Sequence, residues 1–178
     1  MKKRIALLAC FLFSLTILAA CQDKPSPAAS ASCDLGGGKT ITTAYSSPRL
    51  KGRKMVGGHD PYGKVWRNGA NEATTFVTST DLVVGGKSVP AGSYTLFVLP
   101  EPDKWTLIIN KKTTNAGKPL WGIPYTWEAD ELARIDMKLS KLPSPMEDFT
   151  ITYDKTATGC TLREEWDTTR ATIDIAAK

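Results

Sequence analysis

The chain's single histidine, His59, stands directly before Asp60. A carboxylate beside an imidazole can orient it as a general base. No serine or cysteine nucleophile motif adjoins the pair, so a solvated loop histidine is the preferred reading. Glu72 taken with Asp60 or Asp81 offers the two carboxylates of a hydrolase, but no spacing fixes their separation. The same region is rich in cations: Arg49, Lys51, Arg53, Lys54, Lys64 and Arg67, with Gly52, Gly57 and Gly58 to let the backbone bend close to a partner. This composition suits an anion such as a phosphate, a carboxylate or a lipid headgroup, and it also suits a plain solvated basic loop. Phosphate-loop and dinucleotide fingerprints are absent, so no cofactor is expected and no catalytic residue is assigned.

Within this region the run HDPYGKVWRNGANEATTF, residues 59–76, is the densest in functional groups. Arg67 and Glu72 have two roles open to them: an ion pair that fixes the loop, or a bidentate cation and a carboxylate presented to a ligand. Asn68 and Asn71 suit left-handed turn positions, and as ligand groups they would bond hydroxyls or amides. Tyr62 and Trp66, together with Trp121 in PLWGIP, are either lids on a core or stacking faces for a sugar. Tyr62, Trp66, Arg67, Asn68, Asn71, Glu72 and Trp121 are therefore the candidate ligand-binding set.

The N-terminus carries an address. Lys2, Lys3 and Arg4 precede an apolar run from Ile5 to Ala20 that is too short for an ordinary membrane span. The run ends Leu18-Ala19-Ala20-Cys21, which looks like a bacterial lipobox; in that family of signals the cysteine takes lipid and the chain is cut before it. Two or more acyl chains hold a protein stably to a bilayer. Gln22 in place of aspartate points away from inner-membrane retention. The expected division is a signal peptide at 1–20, a lipidated cysteine and flexible Pro/Ser/Ala tether at 21–37, and one folded domain at 38–178. Lipid anchorage would place the domain in the cell envelope, on a periplasmic or outer-membrane face.

The near-neutral charge of the mature chain excludes one class of partner. The full chain has 23 Lys+Arg against 18 Asp+Glu, a net +5. Loss of the three N-terminal cations leaves 20 against 18, about +2, which gives an exported domain little attraction for nucleic acid. Of four cysteines, Cys10 leaves with the signal and Cys21 takes lipid, so Cys33 and Cys160 remain as a pair in an oxidising compartment. They read as a disulfide, with two buried thiols as the alternative. One histidine is too few to complete a His/Cys metal site.

The elements around these residues read as strands. Phe149, Ile151 and Tyr153 alternate with Thr150 and Thr152; Ile135, Met137 and Leu139 alternate with polar residues, as do Ala171, Ile173 and Ile175. YTLFVL at 94–99 and WTLII at 105–109 are apolar on both faces and suit covered central strands joined by the turn at 100–103. Gly85-Gly86 suits a two-residue hairpin loop. TITTAY at 40–45, ATTFVTS at 73–79 and CTLREEW at 160–166 complete the set, and one short helix is expected around 127–134. Turns recurring about every ten residues indicate an all-β fold, a single antiparallel β-sandwich of jelly-roll type. The insert at 46–71 is long for such a fold, and long loops often carry function.

SSPRLKGRKMVGG, PYGKVWRNGANEATTF, VPAGSYTLFVLP, WTLIINKK, LWG at 120–122 and GCTLREEW together resemble the bacterial domain-of-unknown-function 2911 family over about residues 38–176. The resemblance implies an exported all-β domain, often on a lipoprotein, and transfers no catalytic residue. The family's core motif falls on Trp66, Arg67, Gly69, Ala70, Asn71, Glu72, Ala73 and Thr74 and leaves His59 outside it. The expected function is a membrane-anchored, non-catalytic binding module for a small polar, sugar or anionic ligand, using the 59–76 loop. A structural envelope component that contacts another envelope protein and a paired-carboxylate hydrolase are the alternatives.

Overall fold

The computed structural model describes residues 26–178; the signal sequence and Cys21 lie outside the described residues. Eleven strands follow in order: β1 (Ala28–Gly36), β2 (Lys39–Ser46), β3 (Thr74–Thr78), β4 (Leu82–Val84), β5 (Lys87–Val89), β6 (Gly92–Pro100), β7 (Trp105–Asn110), β8 (Thr114–Asn115), β9 (Lys118–Pro119), β10 (Glu131–Lys155) and β11 (Gly159–Ala177). Nine of them form one antiparallel sheet in the order β1-β2-β3-β6-β7-β10-β11-β4-β5, and β8 and β9 form a separate ribbon. The sheet becomes a sandwich through β10. Residues 131–137 of this strand pair with β7, and from Lys138 onward it pairs with β11. One strand thus serves both layers, which makes the predicted sandwich a single folded sheet.

The alternating patterns fall as expected. Ile135, Met137, Phe149, Ile151, Ala171, Ile173 and Ile175 are all buried between the layers. The β6 and β7 strands are buried on both faces because a second, smaller cluster forms outside the sheet. Phe97 and Ile108 meet Ala73 and Leu120 there, with Val65, Ile123 and Trp127 packed around them. Gly85 and Gly86 turn between β4 and β5 with φ of 49° and 84°, as a two-residue hairpin of primed type requires.

Two expectations are corrected. Residues 28–36, expected in the tether, form β1 and pair with β2, Cys33 opposite Ile41. Ala29, Ala31, Cys33 and Leu35 turn inward, while Ala28, Ser30, Ser32 and Asp34 face out. Small side chains on both faces hide this period of two from a composition reading. The helix expected around 127–134 is a single 3₁₀ turn at Trp127–Asp130, after which the chain extends into β10. Cys33 and Cys160 form a disulfide with Cα atoms 6.6 Å apart, linking β1 to β11 across 127 residues of sequence.

Candidate functional site

The insert between β2 and β3 is laced to one end of the sandwich. The Ser47 hydroxyl donates to the Phe149 carbonyl at 2.7 Å, and Leu50 N–H and Phe149 N–H donate to the carbonyls of Glu147 and Pro48. A compact turn follows, in which Asp60 N–H donates to the Met55 carbonyl and Gly57 N–H to the Asp60 carbonyl, both at 2.8 Å. The Tyr62 ring lies over Gly57, where φ is +74° and a Cβ would come within 2.3 Å of the ring. Trp66 then exchanges backbone hydrogen bonds with Val98 of β6 at 2.7 and 2.8 Å.

Trp66 is core. It is 6% exposed, stacks on Trp166 with ring centroids 5.4 Å apart, and meets Phe149 edge-on at 4.9 Å. Its indole N–H donates to the Gly69 carbonyl at 3.1 Å. Asn68 is also core, at 0% exposure, with φ of 55°. Its backbone carbonyl accepts from Thr74 Oγ1 at 2.5 Å, and its side-chain amide donates to Glu164 Oε1 at 2.6 Å. Asn71, at φ 57°, donates through Nδ2 to the Ser26 carbonyl at 3.1 Å. Both asparagines occupy the left-handed positions expected of them, and their side chains are committed to the protein itself.

The rest of the candidate set is half-buried (Arg67, Glu72) or exposed (Tyr62, Trp121). Arg67 donates from Nη1 to the Asn71 carbonyl at 3.1 Å. Glu72 bridges by backbone to Trp121. Trp121 is 67% exposed, Tyr62 is exposed, and Tyr125, which the spacing of motifs does not single out, is fully exposed nearby in the chain. His59 Nδ1 lies 3.5 Å from Asp60 Oδ1, with the imidazole largely in solvent.

Two small clefts open side by side and share Asp60, Trp66 and Arg67. One, of about 200 Å³, adds Val65, Gly122 and Ile123. The other, of about 170 Å³, is floored by Met55 and the Trp66–Trp166 stack and rimmed by Arg53, His59 and Ser26. A larger groove of about 670 Å³ lies by the β4–β5 turn. Its charges are engaged already, Lys138 with Asp174 and Asp136 with Lys104, so the smaller clefts are the better candidate.

Arginine pairing sets the clefts apart. Among the described residues Arg49, Arg134, Arg163 and Arg170 each hold a carboxylate, namely Asp148, Glu131, Asp154 and Glu165. Arg53 and Arg67 hold none. Arg53 instead donates to the Leu50 and Arg49 carbonyls at 3.1 Å. Arg53 and Arg67 therefore both line one cleft without a carboxylate partner, an arrangement suited to an oxyanion.

Glu164 is a functional group that sequence reasoning missed. Alternation along LREEW puts it on the same inward face as Leu162 and Trp166, a signal the sequence does carry. It is 0% exposed. Glu164 Oε2 and Asn68 Oδ1 are both buried without a hydrogen-bond partner. Burial pushes the Glu164 carboxyl up to about 7, opposed by the hydrogen bond from Asn68. Tyr45 of β2 and Tyr153 of β10 are held above the ordinary phenol value chiefly by burial, with the Glu164 carboxyl adding to the effect. Among the described residues no lysine, arginine or histidine is paired with Glu164.

Residues 26–175 match the model of the family described as Protein of unknown function (DUF2911). The chain belongs to the DUF2911 family. The match starts two residues before β1, so in this DUF2911 domain the first strand and its cysteine are part of the family unit. No curated protein and no solved structure matches the chain. Among the described residues no group of three or more His, Cys, Asp or Glu side chains could hold a metal, and no helix is long and apolar enough to cross a membrane.

Proposed function

We propose that this DUF2911 domain is a non-catalytic binding module, lipid-anchored at Cys21 in the cell envelope, that takes a small anionic or polar ligand in the paired clefts of the 46–71 insert. The observation that carries the reading is the pair Arg53 and Arg67, the two described arginines without a carboxylate, on one cleft. An oxyanion would sit between the guanidinium groups, and the apolar floor of Met55 and the tryptophan stack would take the ligand's body. Trp121 and Tyr62, exposed beside the clefts, supply faces for a ring. The hydrolase alternative has less support: Asp60 is the one carboxylate among the described residues that lines either cleft, and the carboxyl with a raised pKa, Glu164, is sealed in the core.

A thermal-shift series on the protein with inorganic phosphate, citrate and simple sugars tests this. An anion at about a hundred times its Kd adds about 2.7 kcal/mol, a rise of roughly 5–10 °C for a domain of this size. Phosphate or citrate is expected to raise the midpoint, and Arg67→Ala or Arg53→Ala is expected to abolish the rise while leaving the protein folded. A rise that survives both substitutions, or no rise with any of these ligands, would overturn the reading.

A further inference from the structure

The described chain enters the domain at the rim of the candidate clefts. Ser26 lines the smaller one beside Arg53 and Arg67. Its carbonyl accepts from Asn71 Nδ2, and the next residue's carbonyl, on Pro27, accepts from Ser47 N–H at 2.8 Å. The point of entry is therefore tied to the 46–71 insert. Cys21 precedes Ser26 by five residues. A fully extended chain covers at most about 3.6 Å per residue, so Ser26 lies within about 18 Å of Cys21 whatever path the chain takes. Together with the proposal that Cys21 bears the lipid, on which the docking face rests, this limit fixes which end of the domain is closest to the bilayer.

That end has the chemistry of a bilayer-facing surface. Lys51, Arg53, Lys54, Lys64 and Arg67 all belong to the insert, and none forms an ion pair among the described residues. Unpaired cations close to a membrane are drawn to anionic headgroups, and the attraction fades within a Debye length. Trp121 and Tyr125 stand out in solvent from the loop that borders the neighbouring cleft. Tryptophan and tyrosine are the side chains best suited to the headgroup zone, where the ring meets acyl chain and the polar atom meets water.

We infer that this end of the domain docks on an anionic phospholipid surface, with Trp121 and Tyr125 at headgroup depth and Lys51, Lys54 and Lys64 over the lipid phosphates. The short tether holds the face within reach, and the unpaired cations and exposed aromatics hold it down. The clefts then open toward the membrane interface, and a ligand enters from the headgroup layer.

The test uses the full chain purified from membranes, with its intact mass measured first. The protein is placed in vesicles of pure phosphatidylcholine or of phosphatidylcholine with about 30% phosphatidylglycerol, and its lysines are mapped with a water-soluble amine reagent. Labelling of Lys51, Lys54 and Lys64 is expected to slow about fivefold on the anionic vesicles relative to the neutral ones, while Lys87 and Lys138 label alike on both. Bromine-labelled lipid is expected to quench tryptophan emission, and Trp121→Phe is expected to remove most of that quenching. Even labelling on both vesicles with an acylated Cys21 overturns the docking face alone. A mass showing Cys21 unmodified overturns the anchor, and the orientation falls with it.

Discussion

Glu164 should make this protein lose stability as the pH rises through the weakly acidic range. The carboxyl titrates at about 7 in the fold against 4.5 as a free side chain. Between those values the folded protein keeps a proton that the unfolded chain has released, so unfolding releases that proton and becomes easier as pH increases. The stabilising contribution is fully present below about pH 4.5, is lost progressively up to about pH 7, and changes no further above that. At 1.36 kcal/mol for each pH unit the total is about 3 kcal/mol, a large share of the roughly 5–15 kcal/mol that holds a typical domain together. The geometry supports the direction independently. Glu164 Oε2 and Asn68 Oδ1 are two buried acceptors without partners, and a proton on the carboxyl turns one of them into a donor. Urea denaturation of the wild type and of Glu164→Gln, from about pH 4.5 to 8, isolates the effect, because every other titration cancels in the difference. Glutamine keeps an oxygen for the Asn68 amide and cannot ionise. The wild type's stability relative to the variant is expected to fall by about 3 kcal/mol across that range. A difference that stays flat with pH would refute the reasoning.

Three further outcomes are expected. Replacing Cys33 and Cys160 by serine removes a link across 127 residues, which the chain-entropy treatment values at about 5 kcal/mol; identical denaturation midpoints with and without the pair would contradict it. Asn68→Ala takes from buried Glu164 its one donor among the described residues and puts alanine at φ 55°, so a loss of about 2–4 kcal/mol should appear in urea titrations, and a loss under about 0.5 kcal/mol would mean that the pair contributes little. Trp121→Ala, at an exposed position, should leave stability within about 0.5 kcal/mol by the same measurement while reducing vesicle contact; a large destabilisation would make Trp121 a packing residue.

The strands were legible wherever one face is clearly apolar and the other polar. Ile135 and Met137, Phe149 and Ile151, and Ile173 and Ile175 all fell on the buried side. Legibility failed where that contrast is weak. In β1 two of the four inward residues are alanine and two of the four outward ones serine, so a paired edge strand has the composition of a tether. The region from 135 to 153 reads as two separate strands, yet it is one, because the pairing of β10 with β11 slips between Lys141 and Met146 and again before Thr150. Pro143 and Pro145, which cannot donate to a ladder, fall inside the first slip. The candidate site was legible as a region and less so residue by residue. Asn68 and Asn71 matched their turn chemistry, but only tertiary packing decides that Trp66 is buried and Trp121 exposed. That Arg53 and Arg67 lack a carboxylate partner depends on where every carboxylate ends up, which spacing along the chain does not encode.

The bond between Cys33 and Cys160 also changes what a protease can do to this molecule. Any single cut from residue 34 to residue 159 yields one piece carrying Cys33 and another carrying Cys160, still covalently joined. That span includes the whole 46–71 insert and the Trp121 loop. A nicked molecule therefore keeps its mass and its complement of strands, and the damage shows as two bands only after reduction. The bridge acts as a retaining ring: a loop between the two cysteines can be cleaved without either piece being shed.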